Sequence, residues 1–252
     1  MEERLKLMKA SIMAKVDATL YQSIVGSLHY LVHMRPDIAF TVDYVSCFME
    51  DPQKDHRAVV KQLLHYVNWT VDHGIVFPKI GRSGLQLTMF SDADMARDID
   101  GWWSTSGMLV FLGSAPISWL SLKQTVVALS TCKVEYVAVA IVACHAMWLC
   151  RLLGKLTGVE AHPLALMVDN QPAIAFSKNL VLHGWRKHID VKFHILRDYV
   201  DGWQIVIEFI KTGRQLANVL TKPLGHPWFT KLKKMIDMVE VLGLAVGLRE
   251  EM

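Results

Sequence analysis

The feature that most constrains this fold is a strand pattern over residues 85–94 that ends in two aspartates. Apolar and polar residues alternate over Leu85–Met89, which is typical of a strand with one buried face. The pattern then reaches Asp92 and Asp94, where we expect the strand to give way to a loop. Open α/β sheets gather ligands at the carboxyl ends of their central strands. Asp92 is therefore a candidate functional residue at the centre of a sheet.

The segments that follow predict a mixed sheet flanked by helices. Turn residues separate two further short strands, Met108–Leu112 and Ile117–Leu120, so the first three strands should form an antiparallel meander. Ser130 can cap a long helix that ends at Gly154. After it we predict the strand Leu164–Val168, a short helix over Ala173–Ser177, a helix from about Val191 to Val200, the strand Ile205–Ile210, and a last short helix over Gln215–Thr221. The order β-β-β-α-β-α-α-β-α predicts an α/β (α+β) fold with a five-stranded mixed sheet.

The pattern divides the chain into five segments. Residues 1–19 carry no clear pattern, whereas residues 20–77 contain three helical patterns and form a small helical unit. Residues 78–84 are rich in turn residues and are interpreted as a linker. The sheet domain covers residues 85–224, and the tail, residues 225–252, has no assigned structure.

Composition narrows the class of protein. Hydrophobic residues make up 52% of the chain, which is ample for a core and too many for a disordered protein. The net charge of +3 is too small to indicate nucleic-acid binding by itself. The four cysteines have no CxxC spacing, so neither a zinc site nor a disulfide framework is predicted. The most apolar run, residues 134–153, contains Glu135, His145 and Arg151, which favours a buried helix and no membrane partner.

Two further acids can meet Asp92. Glu135 lies in the long helix, and Asp169 follows the strand Leu164–Val168. Clustered carboxylate oxygens suit Mg²⁺ or Mn²⁺ and repel one another without metal. Two such ions about 3.5–4 Å apart could activate water and stabilise the leaving oxygen in phosphodiester hydrolysis. The alternative, that each acid is an ordinary strand-end or surface charge, stays open at this point.

Several longer motifs carry a resemblance to a known family. They are Ser91-Asp-Ala-Asp-Met-Ala96, Ser104-Thr-Ser-Gly107, Ile117-Ser-Trp-Leu-Ser-Leu-Lys-Gln124, Glu135-Tyr136, Val168-Asp-Asn-Gln-Pro-Ala-Ile174, Lys187-His-Ile-Asp190 and Gln215-Leu-Ala-Asn-Val-Leu-Thr-Lys-Pro-Leu224. In this order they resemble the C-terminal part of the Pol polyprotein of copia-type LTR retrotransposons. The resemblance implies a ribonuclease H-like domain that cuts the RNA strand of RNA–DNA hybrids with Mg²⁺ or Mn²⁺. It makes Asp92, Glu135 and Asp169 the catalytic, metal-binding acids.

The resemblance also implies several departures from the family pattern. Residues 20–77 look like the end of the reverse transcriptase thumb or connection, and the family's Tyr-X-Asp-Asp polymerase centre is absent. Asn218 stands where the family usually has a fourth acid, which should compromise a two-ion site because an amide carries no negative charge. Lys133 and Cys150 also depart from the usual residue, and each of these changes requires a single C-to-T transition on one strand. We interpret the chain as a truncated, decaying copy, so the alternative to a ribonuclease is an inactive remnant that at most binds nucleic acid or a Pol partner.

The partners implied are an RNA–DNA hybrid and the missing reverse transcriptase half of Pol. A hybrid-binding surface needs cations for the phosphates. The candidates, which lie in loops or helix starts beside the acids, are Lys123, Arg186, Lys187, His188 and Lys192. By resemblance the protein would act in cytoplasmic retroelement particles, and no targeting signal is recognised in the sequence.

Overall fold

The computed structural model of the chain describes residues 5–10, 12–79, 86–158, 163–178 and 187–241, and for residues 178 and 187–193 it describes the backbone alone. The first part of the chain holds the helices α1 (Ala18–Val32), α2 (Pro36–Ser46) and α3 (Lys54–Trp69) and the short strand β1 (His73–Ile75). The middle holds β2 (Leu87–Asp94), β3 (Thr105–Leu112), β4 (Ala115–Lys123), α4 (Thr131–Thr157), β5 (Leu164–Val168), α5 (Gln171–Lys178), α6 (Lys187–Asp201) and β6 (Ile205–Phe209). The last part holds the 3-10 turns Thr212–Arg214 and Leu216–Leu220, then α7 (His226–Met235) and β7 (Met238–Glu240).

The central sheet has five strands in the order β4-β3-β2-β5-β6. β2 pairs with β3, and β3 with β4, in antiparallel register. β5 runs parallel to both of its neighbours, β2 and β6. The predicted fold class is therefore confirmed: three antiparallel strands come first in a five-stranded mixed sheet flanked by helices, and β2 lies at its centre.

The two faces of the sheet are covered by different elements. On one face, Met89 of β2 and Val110 of β3 share a buried cluster with Val139 of α4. On the other face, Leu109 of β3 is buried with Leu220 of the second 3-10 turn. Because neighbouring residues of a strand point to opposite faces, Leu109 and Val110 contribute to different clusters.

Helix α4 is longer than the sequence predicted. Its start is as expected, since the Ser130 hydroxyl accepts a hydrogen bond from the Lys133 backbone N–H at 3.4 Å. Its end was wrong, because Gly154 lies inside the helix and Gly158, with φ of 71°, is the residue that ends it. Among the described helices, α4 is long and apolar enough to cross a membrane by length and composition. Its packing on the sheet and against α5 and α6 accounts for that apolar composition.

Helices α1 to α3 form a small unit with its own buried cluster, which includes Val25, Val42 and Val60. An ion pair fixes its edge: the Arg35 guanidinium lies 2.8 Å from the Asp37 carboxylate, and both side chains are buried. The Tyr66 hydroxyl donates to the same carboxylate at 2.6 Å. Such a buried charge stays favourable because its partners satisfy it.

The described part of the tail, residues 225–241, packs against both other parts of the chain. β7 pairs in antiparallel register with β1, and Gly74 lies opposite Val239. Leu232 of α7 is buried in one cluster with Ala39 of α2 and Leu109 of β3. The segment boundaries at residues 77 and 224 stay a prediction, and the boundary at residue 84 lies outside the described residues. The three parts share this buried cluster.

Candidate metal-binding site

The three predicted acids meet at one end of the sheet. Asp92 lies near the end of β2, Glu135 lies in the second turn of α4, and Asp169 directly follows β5. One carboxylate oxygen from each lies within 4.8 Å of the others. Parallel pairing of β2 with β5 places Ser91 opposite Val168, so the residues that follow them emerge side by side. Three carboxylates widely separated in sequence therefore form one cluster.

Burial makes the cluster electrostatically unfavourable without a cation. Asp92 is 1% exposed and Glu135 is 7% exposed. Burial, and then the charges of Asp92 and Asp169, raise the pKa of Glu135 to about 9. Burial and the Asp92 charge also raise the pKa of Asp169. A positive ion at this place would favour the ionised form of all three groups.

The donor atoms present fit a hard divalent cation. Glu135 Oε2 is buried and has no hydrogen-bond partner among the described residues. All three side chains offer carboxylate oxygens, the ligands that Mg²⁺ and Mn²⁺ prefer in proteins. Asp92, Glu135 and Asp169 are thus the residues that would hold such an ion.

The segment that follows β6 contacts Asp92 and the backbone of the two strands beside it. The Gln215 side-chain amide donates to the carbonyls of Ser91 at 2.8 Å and Met167 at 3.3 Å, so it links β2 to β5 beside the acids. Six residues later, the Thr221 hydroxyl donates to Asp92 Oδ2. These two contacts fix the strand ends and the orientation of the Asp92 carboxylate.

Lys222 supplies a positive charge inside the site. Its Nζ lies 3.2 Å from Asp92 Oδ2 and 3.4 Å from Oδ1. Burial by itself lowers the pKa of Lys222, but the charges and hydrogen bond of Asp92, with Asp94 and Asp169, more than offset it, and the pKa ends above its ordinary value. Asp94 itself forms an ion pair with Arg97 at 3.4 Å.

Asn218, the position expected to hold a fourth acid, is buried in the second 3-10 turn. Its side-chain nitrogen donates to the Thr212 carbonyl at 3.1 Å, and its Oδ1 has no hydrogen-bond partner among the described residues. The Thr212 side chain is in turn hydrogen-bonded to Asp169. Thr221 and Lys222, which directly follow this turn, contact Asp92.

Comparison with known proteins identifies the family, although no family model matches the chain. The chain is 40% identical over 225 residues to a retrovirus-related Pol polyprotein from transposon RE2 of Arabidopsis thaliana. It is 40% identical over 227 residues to the corresponding polyprotein from transposon TNT 1-94 of Nicotiana tabacum. These matches cover 89% and 90% of the chain. The chain belongs to the retrotransposon Pol family.

The chain spans only 15% and 17% of the length of those two relatives. Solved structures with a similar fold include the N-terminal ribonuclease H domain of a Mycobacterium tuberculosis protein, with 14% identity, a TM-score of 0.39, and coverage of 60% of this chain and 97% of that one. Another is the foamy viral protease-reverse transcriptase in complex with dsDNA, with 11% identity, a TM-score of 0.48, and coverage of 81% and 40%.

The predicted nucleic-acid contacts have different outcomes in this Pol-family chain. Lys123 lies 2.8 Å from the Asp98 carboxylate and is partly buried, so its charge is already paired. Arg186 lies outside the described residues. Lys187, His188 and Lys192 lie on the first turns of α6, where the structure describes the backbone alone. A role for any of them in binding nucleic acid stays a prediction.

Sequence reasoning missed three residues that contact or organise the acids: Gln215, Thr221 and Lys222. All three belong to the motif Gln215–Leu224, in which the sequence predicted a role in the site only for position 218. The available signal was the recurrence of polar residues in this short segment before Pro223.

Proposed function

We propose that this chain is a ribonuclease that hydrolyses the RNA strand of RNA–DNA hybrids and depends on Mg²⁺ or Mn²⁺. The observation that carries the proposal is the meeting of Asp92, Glu135 and Asp169 within 4.8 Å. Membership of the retrotransposon Pol family supports it, because the motifs that resemble copia-type elements include all three acids.

Each part of the site has a chemical role in this proposal. A bound divalent ion would activate water and neutralise charge on the scissile phosphate. Asp92 would hold it with an orientation set by the Thr221 hydroxyl. Glu135 is positioned by a hydrogen bond from the Ala93 backbone, which leaves its buried Oε2 for the ion. Asp169 would complete the set from the end of β5.

The second candidate is an inactive remnant that binds nucleic acid or another part of Pol without cutting. Asn218 favours it, because the amide nitrogen is used in a hydrogen bond to the Thr212 carbonyl and the side chain brings no negative charge. A site with three acids should bind divalent ions less tightly than one with four.

The test is cleavage of an RNA–DNA hybrid labelled on the RNA strand, with double-stranded RNA as a second substrate. The full chain is assayed with Mg²⁺, with Mn²⁺ and with EDTA, beside Asp92→Asn, Asn218→Asp and the exposed control Asp201→Asn. Binding of the same hybrid is measured in parallel by fluorescence anisotropy.

The proposal expects hybrid cleavage that needs the metal, is lost in Asp92→Asn by at least about 100-fold because a ligand charge is gone, and is kept in Asp201→Asn. Stronger cleavage by Asn218→Asp would show that the amide weakens the site. Hybrid binding without cleavage in every variant would replace the ribonuclease proposal with the inactive remnant.

A further inference from the structure

Lys222 has two features that the proposed ribonuclease chemistry leaves unused. Its ammonium lies within 3.4 Å of both oxygens of Asp92, the most buried of the three acids. Its side chain is nevertheless 30% exposed, because it also lines a cavity of about 1260 Å³ between α3 and α7. The cation is therefore held at the carboxylates and has space in which to move away from them.

The formal charges around Asp92 can be counted. Asp92, Glu135 and Asp169 bring three negative charges when ionised, and Lys222 brings one positive charge, so 3 − 1 leaves two negative charges. Asp94 is paired separately with Arg97. One divalent ion cancels the remaining charge, whereas a second would leave an excess of two positive charges in a largely buried site.

The position expected to supply more negative charge does not do so. Asn218 is neutral, and its amide nitrogen is committed to the Thr212 carbonyl. A second divalent ion would thus depend on the same three carboxylates, with the Lys222 ammonium already at Asp92. Two cations that share the buried Asp92 carboxylate repel each other more strongly than they would in bulk water.

We propose that the Lys222 ammonium replaces a second divalent ion, so that the site binds a single ion. This inference rests on the proposed metal-dependent function and specifies the number of ions. Lys222 is then a positioning residue for Asp92 and a fixed positive charge beside the bound ion.

The test is Mn²⁺ binding to the full chain, followed by the electron paramagnetic resonance signal of free Mn²⁺ at constant pH and ionic strength. The variants are Lys222→Met, which removes the charge, and Lys222→Arg, which keeps it. Lys234→Met is the matched control, because Lys234 is an exposed lysine that lines the same cavity. Circular dichroism melting checks folding, and Lys222→Gln gives the same comparison if the methionine variant does not fold.

Wild type, Lys222→Arg and Lys234→Met should each bind one Mn²⁺ with similar affinity. Lys222→Met should bind a second Mn²⁺. It should also bind the first at least about tenfold more tightly, because removing the Lys222 charge removes about 1.4 kcal/mol of repulsion. Two ions in wild type, with Lys222 displaced into the cavity, would overturn the inference. So would one ion of unchanged affinity in Lys222→Met. Both results leave the ribonuclease proposal standing, whereas no Mn²⁺ binding by any variant overturns both.

Discussion

The raised pKa of the Glu135 carboxyl indicates that the three ionised acids need a cation. Its pKa is raised from 4.5 to about 9 by burial and by the charges of Asp92 and Asp169. A carboxyl whose pKa is higher in the folded state binds its proton more tightly there, so it favours folding at low pH. That contribution is lost as the pH rises between these two pKa values.

Replacing Glu135 by Gln should therefore change how stability depends on pH. In EDTA, wild type should lose stability as the pH rises from about 5 towards 9, and Glu135→Gln should lose less, because it has no charge to bury. The measurement is the melting temperature at each pH, where each kcal/mol shifts the midpoint by about 2–4 °C. The exposed Glu208→Gln is the control. Parallel curves for wild type and Glu135→Gln would contradict this account.

The residues of the site differ in how far the sequence could predict them. Asp92 follows a period-two pattern and Asp169 follows a short apolar run, so the sequence predicted that both lie at strand ends. Thr221 and Lys222 approach Asp92 from a 3-10 segment about 130 residues later in the chain. No local periodicity encodes that path, because it depends on how the segment packs across the sheet.

Among the elements, the second 3-10 turn approaches β3 closely at a glycine. Gly107 lies opposite Asp92 in the β2–β3 pairing. A Cβ atom on Gly107 would lie 2.6 Å from Thr221 Cγ2 and 2.9 Å from the Ala217 carbonyl oxygen. The absence of a side chain there lets the turn bring Thr221 to Asp92.

Gly107→Ala should destabilise the chain by about 1–3 kcal/mol, because the backbone of the turn has to move. It should also weaken Mn²⁺ binding, since Thr221 is displaced from Asp92. Gly26→Ala is the matched control: its Cβ meets nothing within 4 Å, and this exposed helical site should gain about 0.4–1 kcal/mol. Denaturant unfolding and Mn²⁺ titration measure the two effects. An unchanged Mn²⁺ affinity in Gly107→Ala would show that the position of the second 3-10 turn does not affect metal binding.

The presence of an element was predictable where a long pattern existed, but its boundaries were less so: β3 was predicted to begin at Met108 and begins at Thr105. The five strands of the sheet and the main helices have enough residues to show a period. β1 and β7 have three residues each, too few for alternation, and their pairing joins distant parts of the chain. Gly154 and Gly158 are equally good helix ends by composition, and the backbone conformation decided between them.

At the scale of the whole molecule, a single buried cluster joins the helical unit, the sheet and α7. Leu232→Ala should therefore cost about 2–5 kcal/mol and lower the midpoint of one cooperative transition. Tryptophan fluorescence and far-ultraviolet circular dichroism would be followed during the same denaturant titration. Met235→Ala, at a position that is 38% exposed, should change stability by less than about 0.5 kcal/mol. Two separate transitions, with only one affected by Leu232→Ala, would show that the parts fold independently.

The pairing of β1 with β7 also affects the order in which a newly made chain can fold on the ribosome. Residues 73–75 are synthesised well before their hydrogen-bonding partners, residues 238–240. Until residues 238–240 have been made, the earlier strand has an unpaired edge, and closing so long a loop is slow. The nascent helical unit therefore offers this strand edge to other partners during that interval.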